Sequence, residues 1–345
     1  MNYSRERRWT MKKGWGFLLT GIGLSLCLIL VNTSFGAVTL KLGSIAGPSS
    51  LEGQGAALFG KLIEQKTKGE VKVNVGYSSA FGGLGPLLQS VEMGSVDMMV
   101  SSIDQWEFID PALRILRFAY VFRDYNHYTK YLDSPIAEES LKRLLERNQR
   151  ILLPQKNTFW LRGPYRVLVS KKPVFNAEDV KGLRLRLYES ETAKKVWGQA
   201  LGATITVIPW AETYLALRQG MVEAVTSPID ALFDAKFTET CKYVTNVNEF
   251  FQTNTLAINE KKWKSFSPVI QKAINEAAAE TAKKMSDLTT LQVEKEIQKM
   301  MDDHGASFIQ VSLKSFQEKV RPLVDELENQ NTWPKGLFNR IQEIK

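Results

Sequence analysis

Two arginines alternate with leucines in the stretch "VKGLRLRLYESET", which runs from Val180 to Thr192. A β-strand sends successive side chains to opposite faces, so Arg184 and Arg186 share one face and the leucines share the other. A helical pattern follows at once, which predicts one strand-to-helix step of an α/β protein, where helices usually cover both sheet faces. A guanidinium is almost never fully buried without a partner. The two arginines therefore either reach solvent, or at least one of them faces a cleft and binds an anion.

The rest of the sequence lacks the residue sets that catalysis or metal binding requires. No nucleophile, base and orienting residue stand in a known pattern, and G-x-S-x-G, a glycine-rich phosphate loop and H-E-x-x-H are all missing. The histidines, His127 and His304, lie far apart in the sequence without neighbouring cysteines, so we expect both on the surface and no zinc site. These observations favour a binding protein that uses neither metal nor cofactor over an enzyme.

The elements that must position the arginines alternate between strands and helices. The early strands are predicted at "VTLKLG", "GEVKVNVGY" and "VDMMVSS", and helices are predicted at Leu51 to Lys66 and at "PLLQSVEMG", which ends at Gly94. The alternation continues through "GPYRVLVS", the arginine strand, a helix from Glu189 to Leu201 and the strand "ATITVI". Such a repeat predicts a parallel or mixed sheet that is covered by helices.

A single long helix is predicted near the end of the chain, from Ser267 to His304. At 1.5 Å per residue it is about 50 Å long, which is enough to run across two lobes. The chain has 345 residues, which is too many for one compact core. Two lobes are therefore expected, and the long helix is expected to span both.

The first 37 residues have the layout of a secretory signal peptide. A basic region that ends at Lys13 precedes an apolar run from Gly14 to Val31, and small residues follow. We expect cleavage after Gly36, with cleavage after Ala37 as the competing site. An uncleaved anchor is a third alternative, because the apolar run is long for a signal. The sequence thus predicts export to the periplasm.

Charge and cysteine content narrow the partners of the exported chain. The net charge is +8, and half of it lies in the leader, which holds five basic residues and one acidic residue. The remainder is mildly basic without a basic stripe, so no nucleic-acid partner is expected. Because Cys27 lies in the leader, Cys241 has no partner for a disulfide within the mature chain.

Five stretches make the chain resemble the substrate-binding protein of a tripartite ATP-independent periplasmic (TRAP) transporter, of the DctP type. The resemblance covers nearly all of the chain after the leader, and it depends on the order and spacing of these stretches more than on any single one. The stretches are "VTLKLGSIAGPSSLEGQGAALFGKLIEQKTKGEVKV", "LLQSVEMGSVDMMV", "KPVFNAEDVKGLRLRL", "LGATITVIPWAETYLALRQGMVEAV" and "KFTETCKYVTNVN".

The resemblance implies an α/β fold of the periplasmic-binding-protein type. Two lobes close about a hinge over the ligand, and long C-terminal helices span both lobes. We expect lobe I to comprise residues 38–163 and 253–291, and lobe II to comprise residues 164–252 and 292–345.

The resemblance also implies ligand residues. Arg186 matches the carboxylate-clamping position of the family and lies near the carboxyl end of its strand, where open α/β sheets place ligands. A planar guanidinium can donate two parallel hydrogen bonds to a carboxylate. Arg166 matches the second ligand arginine, Trp210 the aromatic residue against the ligand, and Ser227 a position that is usually asparagine. The alternatives are a surface ion pair for Arg166 and a core position for Trp210, while Arg184 is expected to reach solvent or an acidic neighbour.

Some positions depart from the family pattern. Tyr188 replaces the usual proline, Ile45 is apolar where sialic-acid-binding relatives have a polar contact, and Ser102 stands where those relatives have an acidic residue. The polar shell that would recognise a sugar is largely missing, which disfavours sialic acid.

We expect a more apolar wall around the arginines instead. Its predicted members are Tyr188, Trp210, Trp106 and Ile45. The candidates for contact with a hydroxyl or amine of the ligand are Asp104, Gln105 and Asp230. An aromatic or branched-chain organic acid, including 2-oxo acids, is favoured over a succinate-like dicarboxylate.

The function implied by the resemblance is solute capture. An extracytoplasmic protein binds an organic acid between its lobes and delivers it to TRAP membrane subunits for uptake. We expect it to be a monomer. The alternative is a ligand-sensing periplasmic protein of the same fold that presents itself to a membrane sensor.

Overall fold

A computed structural model describes residues 37–152, 160–163 and 165–345. The predictions for the leader up to Gly36 lie outside these residues. Within the described part of the chain, no helix is both long enough and apolar enough to cross a membrane.

The strands of the described chain form two sheets. In chain order they are β1 (Val38–Gly43), β2 (Val71–Gly76), β3 (Met98–Ser102), β4 (Gln149–Ile151), β5 (Trp160–Leu161), β6 (Arg166–Ser170), β7 (Arg184–Leu187), β8 (Thr204–Val207), β9 (Ala224–Pro228), β10 (Tyr243–Asn246), β11 (Thr253–Asn259) and β12 (Ser307–Gln310). The first sheet has the order β2-β1-β3-β11-β4, and β5 also pairs with β11. The second sheet has the order β12-β10-β6-β9-β7-β8.

Both sheets are mixed, in agreement with the alternation of strands and helices in the sequence. In the first sheet, β1 runs parallel to β2 and β3, whereas β11 runs antiparallel to β3, β4 and β5. In the second sheet, β7 runs parallel to β8 and β9, whereas β6 runs antiparallel to β9 and β10. The antiparallel strands return from distant parts of the chain, and local periodicity does not reveal such pairings.

The arginine strand β7 lies inside the second sheet, with β8 on one side and β9 on the other. Leu185 and Leu187 are fully buried in the hydrophobic core. Arg186, on the opposite face, is aligned with Thr206 of β8 and Val225 of β9. The predicted alternation of leucines and arginines is therefore confirmed.

Helices cover both sheets. They are α1 (Leu51–Lys66), α2 (Leu84–Met93), α3 (Tyr125–Leu132), α4 (Pro135–Glu146), α5 (Glu191–Lys194), α6 (Thr213–Arg218), α7 (Phe237–Thr240), α8 (Glu260–Lys264), α9 (Pro268–His304), α10 (Lys314–Val320), α11 (Leu323–Asn329) and α12 (Leu337–Gln342). Helix α5 continues as a π-helical turn over Lys195–Ala200. As predicted, α2 ends at Gly94, which adopts the left-handed conformation that glycine tolerates best.

The predicted long helix is confirmed as α9, which has 37 residues. The Ser267 hydroxyl caps its start by accepting a hydrogen bond from the Ile270 amide, and Gly305 ends it in a left-handed conformation. In the N-terminal half of α9, Glu280 forms an ion pair with Lys66 of α1 at 3.1 Å. At its other end, His304 is hydrogen-bonded to Thr238 of α7 at 2.7 Å. Helix α9 thus packs on helices that belong to both sheets.

We call the first sheet with its covering helices lobe I and the second sheet with its helices lobe II. The C-terminal segment contacts both. The Ser315 hydroxyl accepts a hydrogen bond from the amide of Ala177 in lobe II, whereas Ile341 offers its carbonyl to the ring of His127 in lobe I at 2.8 Å. His127 is buried, so the expectation that both histidines lie on the surface is wrong for this residue. The observed architecture is the predicted two-lobe α/β fold, except that only one of the described C-terminal helices, α9, is long.

Candidate ligand-binding site

A cavity of about 480 Å³ lies between residues that follow the strands of both sheets. Ile45 follows β1, Gln105 follows β3, Tyr188 follows β7 and Trp210 follows β8. The loops at the carboxyl ends of parallel strands gather at one edge of a sheet, which is where α/β proteins place ligands. The volume is suited to a small molecule. The cavity brings together Ile45, Gln105, Arg166, Arg186, Tyr188 and Trp210 of the residues predicted from the sequence.

Arg186 reaches the cavity from β7 and is only 2% exposed. Its Nε donates a hydrogen bond to the Ile208 carbonyl at 2.8 Å, and its guanidinium carbon lies 5.5 Å from the ring centroid of Trp210. Among the described residues, no carboxylate is paired with it. Burial lowers the pKa of Arg186 to about 10, and the nearby charge of Arg166 acts in the same direction. A buried cation that lacks an acid beside a cavity is suited to bind an anion.

Arg184 is different, although it shares the strand face with Arg186. It is exposed, and its Nη2 lies 3.3 Å from Oε2 of Glu223. Its Nη1 also donates a hydrogen bond to the Gly220 carbonyl at 3.0 Å. Arg184 therefore reaches solvent and also lies beside an acidic residue, Glu223, as predicted.

Arg166 also lines the cavity, but its charge is balanced within the protein. Its Nε donates to Oε1 of Glu249 at 2.8 Å, and its Nη2 donates to the Thr226 hydroxyl at 3.2 Å. Its Nη1 donates to the side-chain oxygen of Gln252, and the ring of Phe250 lies 4.4 Å below the guanidinium carbon. This ion pair is buried rather than on the surface. Arg166 thus faces the cavity as one half of a neutral pair.

Arg117 is a further arginine in the cavity and was not predicted from the sequence. It ends the 3-10 helix Pro111–Arg117, with its guanidinium 4.5 Å from the ring centroid of Tyr188. Its Nε lies 2.8 Å from Oδ2 of Asp104, and its Nη1 lies 2.7 Å from Oε1 of Glu107. Burial alone would lower the pKa of Arg117, but the two carboxylates outweigh it and raise this pKa above its ordinary value. Asp104, predicted as a contact for a ligand hydroxyl or amine, is occupied by Arg117.

Arg162 is the fourth arginine of the cavity and lies near two acids. Its Nε is 3.7 Å from Oδ2 of Asp230. The second acid is Glu52, which accepts a hydrogen bond from the Ser44 hydroxyl at 2.7 Å. Burial raises the pKa of both Glu52 and Asp230, and the charge of Arg162 opposes the increase in each. Nε of Arg162 and Oδ1 of Asp230 are buried without a hydrogen-bond partner among the described residues.

The remaining wall is largely apolar. Trp210 is half-buried and packs edge-to-face on Phe237, with the ring centroids 5.1 Å apart. The Tyr188 ring centroid lies 4.5 Å from the guanidinium carbon of Arg117 and 6.0 Å from that of Arg166. The other apolar lining residues include Ile45, Leu84, Phe108, Val207 and Ile208. This wall offers aromatic and branched surfaces to the body of a ligand.

Four residues predicted as ligand contacts do not line the cavity, namely Asp104, Asp230, Trp106 and Ser227. Trp106 is fully buried in the hydrophobic core, where its indole donates to Gln149 at 3.3 Å. It belongs to the 3-10 helix Ile103–Phe108, whose three residues per turn send Trp106 and the adjacent Gln105 in different directions. Ser227 is buried and donates its hydroxyl to the Pro228 carbonyl at 2.9 Å. Because alternate residues of β9 face opposite ways, Thr226 and Pro228 line the cavity and Ser227 does not.

Sequence reasoning missed Arg117, Arg162, Glu52 and Gln252, which all line the cavity. Arg162 stands four residues before Arg166 in "RGPYR", and this proximity was an available signal. Arg117 gives no local signal, because its significance comes from the cavity wall contributed by Tyr188, 71 positions further along the chain.

Comparison with known proteins found a matching family model and related proteins. The family model described as "Bacterial extracellular solute-binding protein, family 7" (DctP) matches residues 42–331. The 2,3-diketo-L-gulonate-binding periplasmic protein YiaO of Escherichia coli strain K12 is 25% identical over 315 residues, which cover 91% of this chain and 94% of YiaO.

Two solved structures share the fold. A TRAP periplasmic solute-binding protein from Chromohalobacter salexigens with bound D-glucuronate is 22% identical, with a TM-score of 0.82, and the match covers 89% of this chain and 100% of the other. One from Sulfurospirillum deleyianum with bound succinate is 23% identical, with a TM-score of 0.80, and covers 89% and 99% of the two chains.

Proposed function

The chain belongs to family 7 of the bacterial extracellular solute-binding proteins, and we propose that it captures an organic acid in the cavity and delivers it to the membrane subunits of a TRAP transporter. It acts as a monomer in the periplasm after export. It binds its ligand without metal or cofactor and catalyses no reaction.

The proposal rests on one observation, the environment of the Arg186 side chain. The side chain is buried, lines the cavity and lacks a carboxylate partner among the described residues. A ligand carboxylate provides the missing negative charge and accepts the hydrogen bonds that the planar guanidinium can donate in parallel. The geometry therefore favours an anion, and a carboxylate is the anionic group shared by the ligands named for the relatives.

Contributions from both lobes support capture by closure. Ile45 and Gln105 belong to lobe I, whereas Arg186 and Trp210 belong to lobe II. Only a ligand that contacts both lobes can favour a closed arrangement, because the shift is limited by its difference in affinity for the two states. A closed, ligand-bound form is the species that membrane subunits would receive.

The body of the ligand is proposed from the wall of the cavity. Burying apolar surface stabilises by roughly 25 cal/mol per Å², and aromatic side chains contribute much of this area. An aromatic or branched-chain organic acid, including a 2-oxo acid, fits Trp210, Tyr188 and Ile45 better than a sugar acid does. The ligands named for the three relatives are 2,3-diketo-L-gulonate, D-glucuronate and succinate. All of them carry a carboxylate, which supports an acid as the ligand of this chain.

A thermal-shift screen of organic acids on the purified mature protein tests the proposal. A ligand at 100 times its dissociation constant stabilises the protein by about 2.7 kcal/mol. We expect stabilisation by one or more acids and none in the Arg186→Ala variant. If no carboxylate stabilises the wild-type protein, the capture function is wrong. If only uronates or aldonates do, capture stands but the apolar-wall argument is wrong.

Delivery is tested separately by affinity purification from membranes with the ligand present. Co-purification of TRAP membrane subunits supports transport. Recovery of a membrane sensor in their place would support the alternative role in sensing.

A further inference from the structure

We infer that the cavity selects acids with a single negative charge and discriminates against dicarboxylates of the same shape. This inference rests on the proposed capture of an organic acid and specifies the charge of that acid. It follows from how the charged groups around the cavity are already paired.

Three of the four arginines that line the cavity are close to carboxylates of the protein. Arg117 is paired with two acids, at 2.7 and 2.8 Å. Arg166 is paired with Glu249 at 2.8 Å, and Arg162 lies 3.7 Å from Asp230. All these acids are buried, so their charges are poorly screened by water. These arginines are already balanced before a ligand arrives.

Arg186 is the remaining lining arginine, and among the described residues it has no acid. One ligand carboxylate at Arg186 therefore completes the pairing. A second carboxylate would have to displace an arginine from its own acid or remain buried without a cation. Both outcomes are unfavourable, because removing one partner from a buried pair leaves an uncompensated charge.

The buried acids also oppose a second negative charge. The four lining arginines are accompanied by five buried acidic residues in or beside the cavity, which are Glu52, Asp104, Glu107, Asp230 and Glu249. A second ligand carboxylate would thus lie close to the acids that already accompany the other three arginines. The same acids do not repel an uncharged group of the ligand.

An uncharged end of the ligand has suitable contacts. Tyr188 lines the cavity, and its aromatic ring offers apolar surface to an uncharged ligand group. The apolar wall provides the rest of the surface, so a neutral body can be accommodated.

Matched ligand pairs test the inference on the wild-type protein by titration calorimetry. In one pair, 2-oxoglutarate is compared with 2-oxo-5-methylhexanoate, in which an isopropyl group of similar shape replaces the second carboxylate. In the other, succinate is compared with succinamate, in which an amide replaces it. We expect the doubly charged member of each pair to bind at least about tenfold more weakly. Equal or tighter binding of either dicarboxylate would overturn the inference while leaving organic acid capture intact.

A charge-releasing variant tests the physical cause. Glu249→Gln removes the acid of Arg166 but keeps a carbonyl oxygen for the Trp197 indole, which donates to Glu249 at 2.5 Å. We expect the affinity for the dicarboxylate to rise about tenfold relative to its singly charged match. The matched control is Glu260→Gln, which breaks the ion pair with Arg150 outside the cavity lining and should leave the ratio unchanged.

Folding of the variants is checked by circular dichroism and thermal melting. If Glu249→Gln is unfolded, Asp230→Asn replaces it, because it removes the carboxylate that lies 3.7 Å from Arg162. A folded charge-releasing variant with an unchanged ratio would contradict the pairing argument. If no acid in the thermal-shift screen stabilises the wild-type protein, the proposed function itself fails, and the two failures are thus distinguished.

Discussion

Arg184 and Arg186 lie two residues apart on one face of β7, yet only Arg184 is paired with a carboxylate among the described residues. Arg184 is exposed and lies 3.3 Å from Glu223. Arg186 is 2% exposed and reaches the Ile208 carbonyl at 2.8 Å. The strand thus contains a candidate ligand residue and, beside it, a residue of the same type that serves as its control.

The Arg186→Ala variant is expected to lose about 2–5 kcal/mol of ligand binding free energy, because the ligand carboxylate would then be buried without its cation. Arg186→Lys should restore little of this loss, since an ammonium cannot donate two parallel hydrogen bonds in the plane of a carboxylate. Titration calorimetry with the acid identified in the screen measures both effects.

Arg184→Ala is the matched control and should bind the same acid with unchanged affinity, because its ion pair with Glu223 is exposed to solvent. A normal affinity in Arg186→Ala, or an equal loss in both alanine variants, would refute the assignment of Arg186.

Arg186→Met is expected to stabilise the ligand-free protein. Burial lowers the pKa of Arg186 to about 10 in the fold, so the charged form is less favourable there than in the unfolded chain. The fold bears this cost below pH 10, and the cost declines as the pH rises from about 10 towards the ordinary arginine value. At neutral pH, a well-packed methionine should raise the free energy of unfolding by roughly 1–3 kcal/mol. Urea denaturation measures the change in the free energy of unfolding. Arg184→Met is the comparison, and its change should be near zero. A destabilised Arg186→Met would show that the buried charge is compensated.

Ligand binding is expected to reduce the radius of gyration. The cavity takes residues from both lobes, so a ligand that bridges them favours closure and excludes water. Small-angle scattering with saturating ligand should show the decrease in the wild-type protein and none in Arg186→Ala. Superimposable curves for wild-type protein with and without ligand would argue against a hinge.

The exported protein is expected to begin at Ala37 or Val38. The basic region, apolar run and small residues of the leader motivate this prediction. N-terminal sequencing of protein from the periplasmic fraction reads the first residue directly. Recovery of an intact Met1 on a membrane-bound species would support the anchor instead.

Features that depend on local order were predictable. The alternation of leucine and arginine places Arg186 on one face of β7, and the capping residues Ser267 and Gly305 bound the long helix α9. Each of these depends on neighbours within a few positions, where backbone geometry leaves few alternatives. The resemblance carried by five ordered stretches added the two-lobe fold.

Side-chain direction in short irregular elements was not predictable to the same degree. Trp106 and Ser227 both stand next to residues that line the cavity, yet they point away from it. A shift of one residue in a 3-10 helix or a strand changes which side chain faces the ligand. Sequence spacing alone locates such a segment without fixing which of its residues makes contact.

The sequence by itself determined that an arginine at position 186 stands near the carboxyl end of a strand, opposite a leucine face, in a chain long enough for two lobes. Only the tertiary structure decided which lining arginine has no carboxylate partner among the described residues. Arg166 meets Glu249 across 83 positions, whereas Arg186 meets the Ile208 carbonyl and the Trp210 ring. The charge available to a ligand is what remains after all buried groups have been paired, and that pairing is a property of the packed molecule because buried charges interact through space, whatever their separation along the chain.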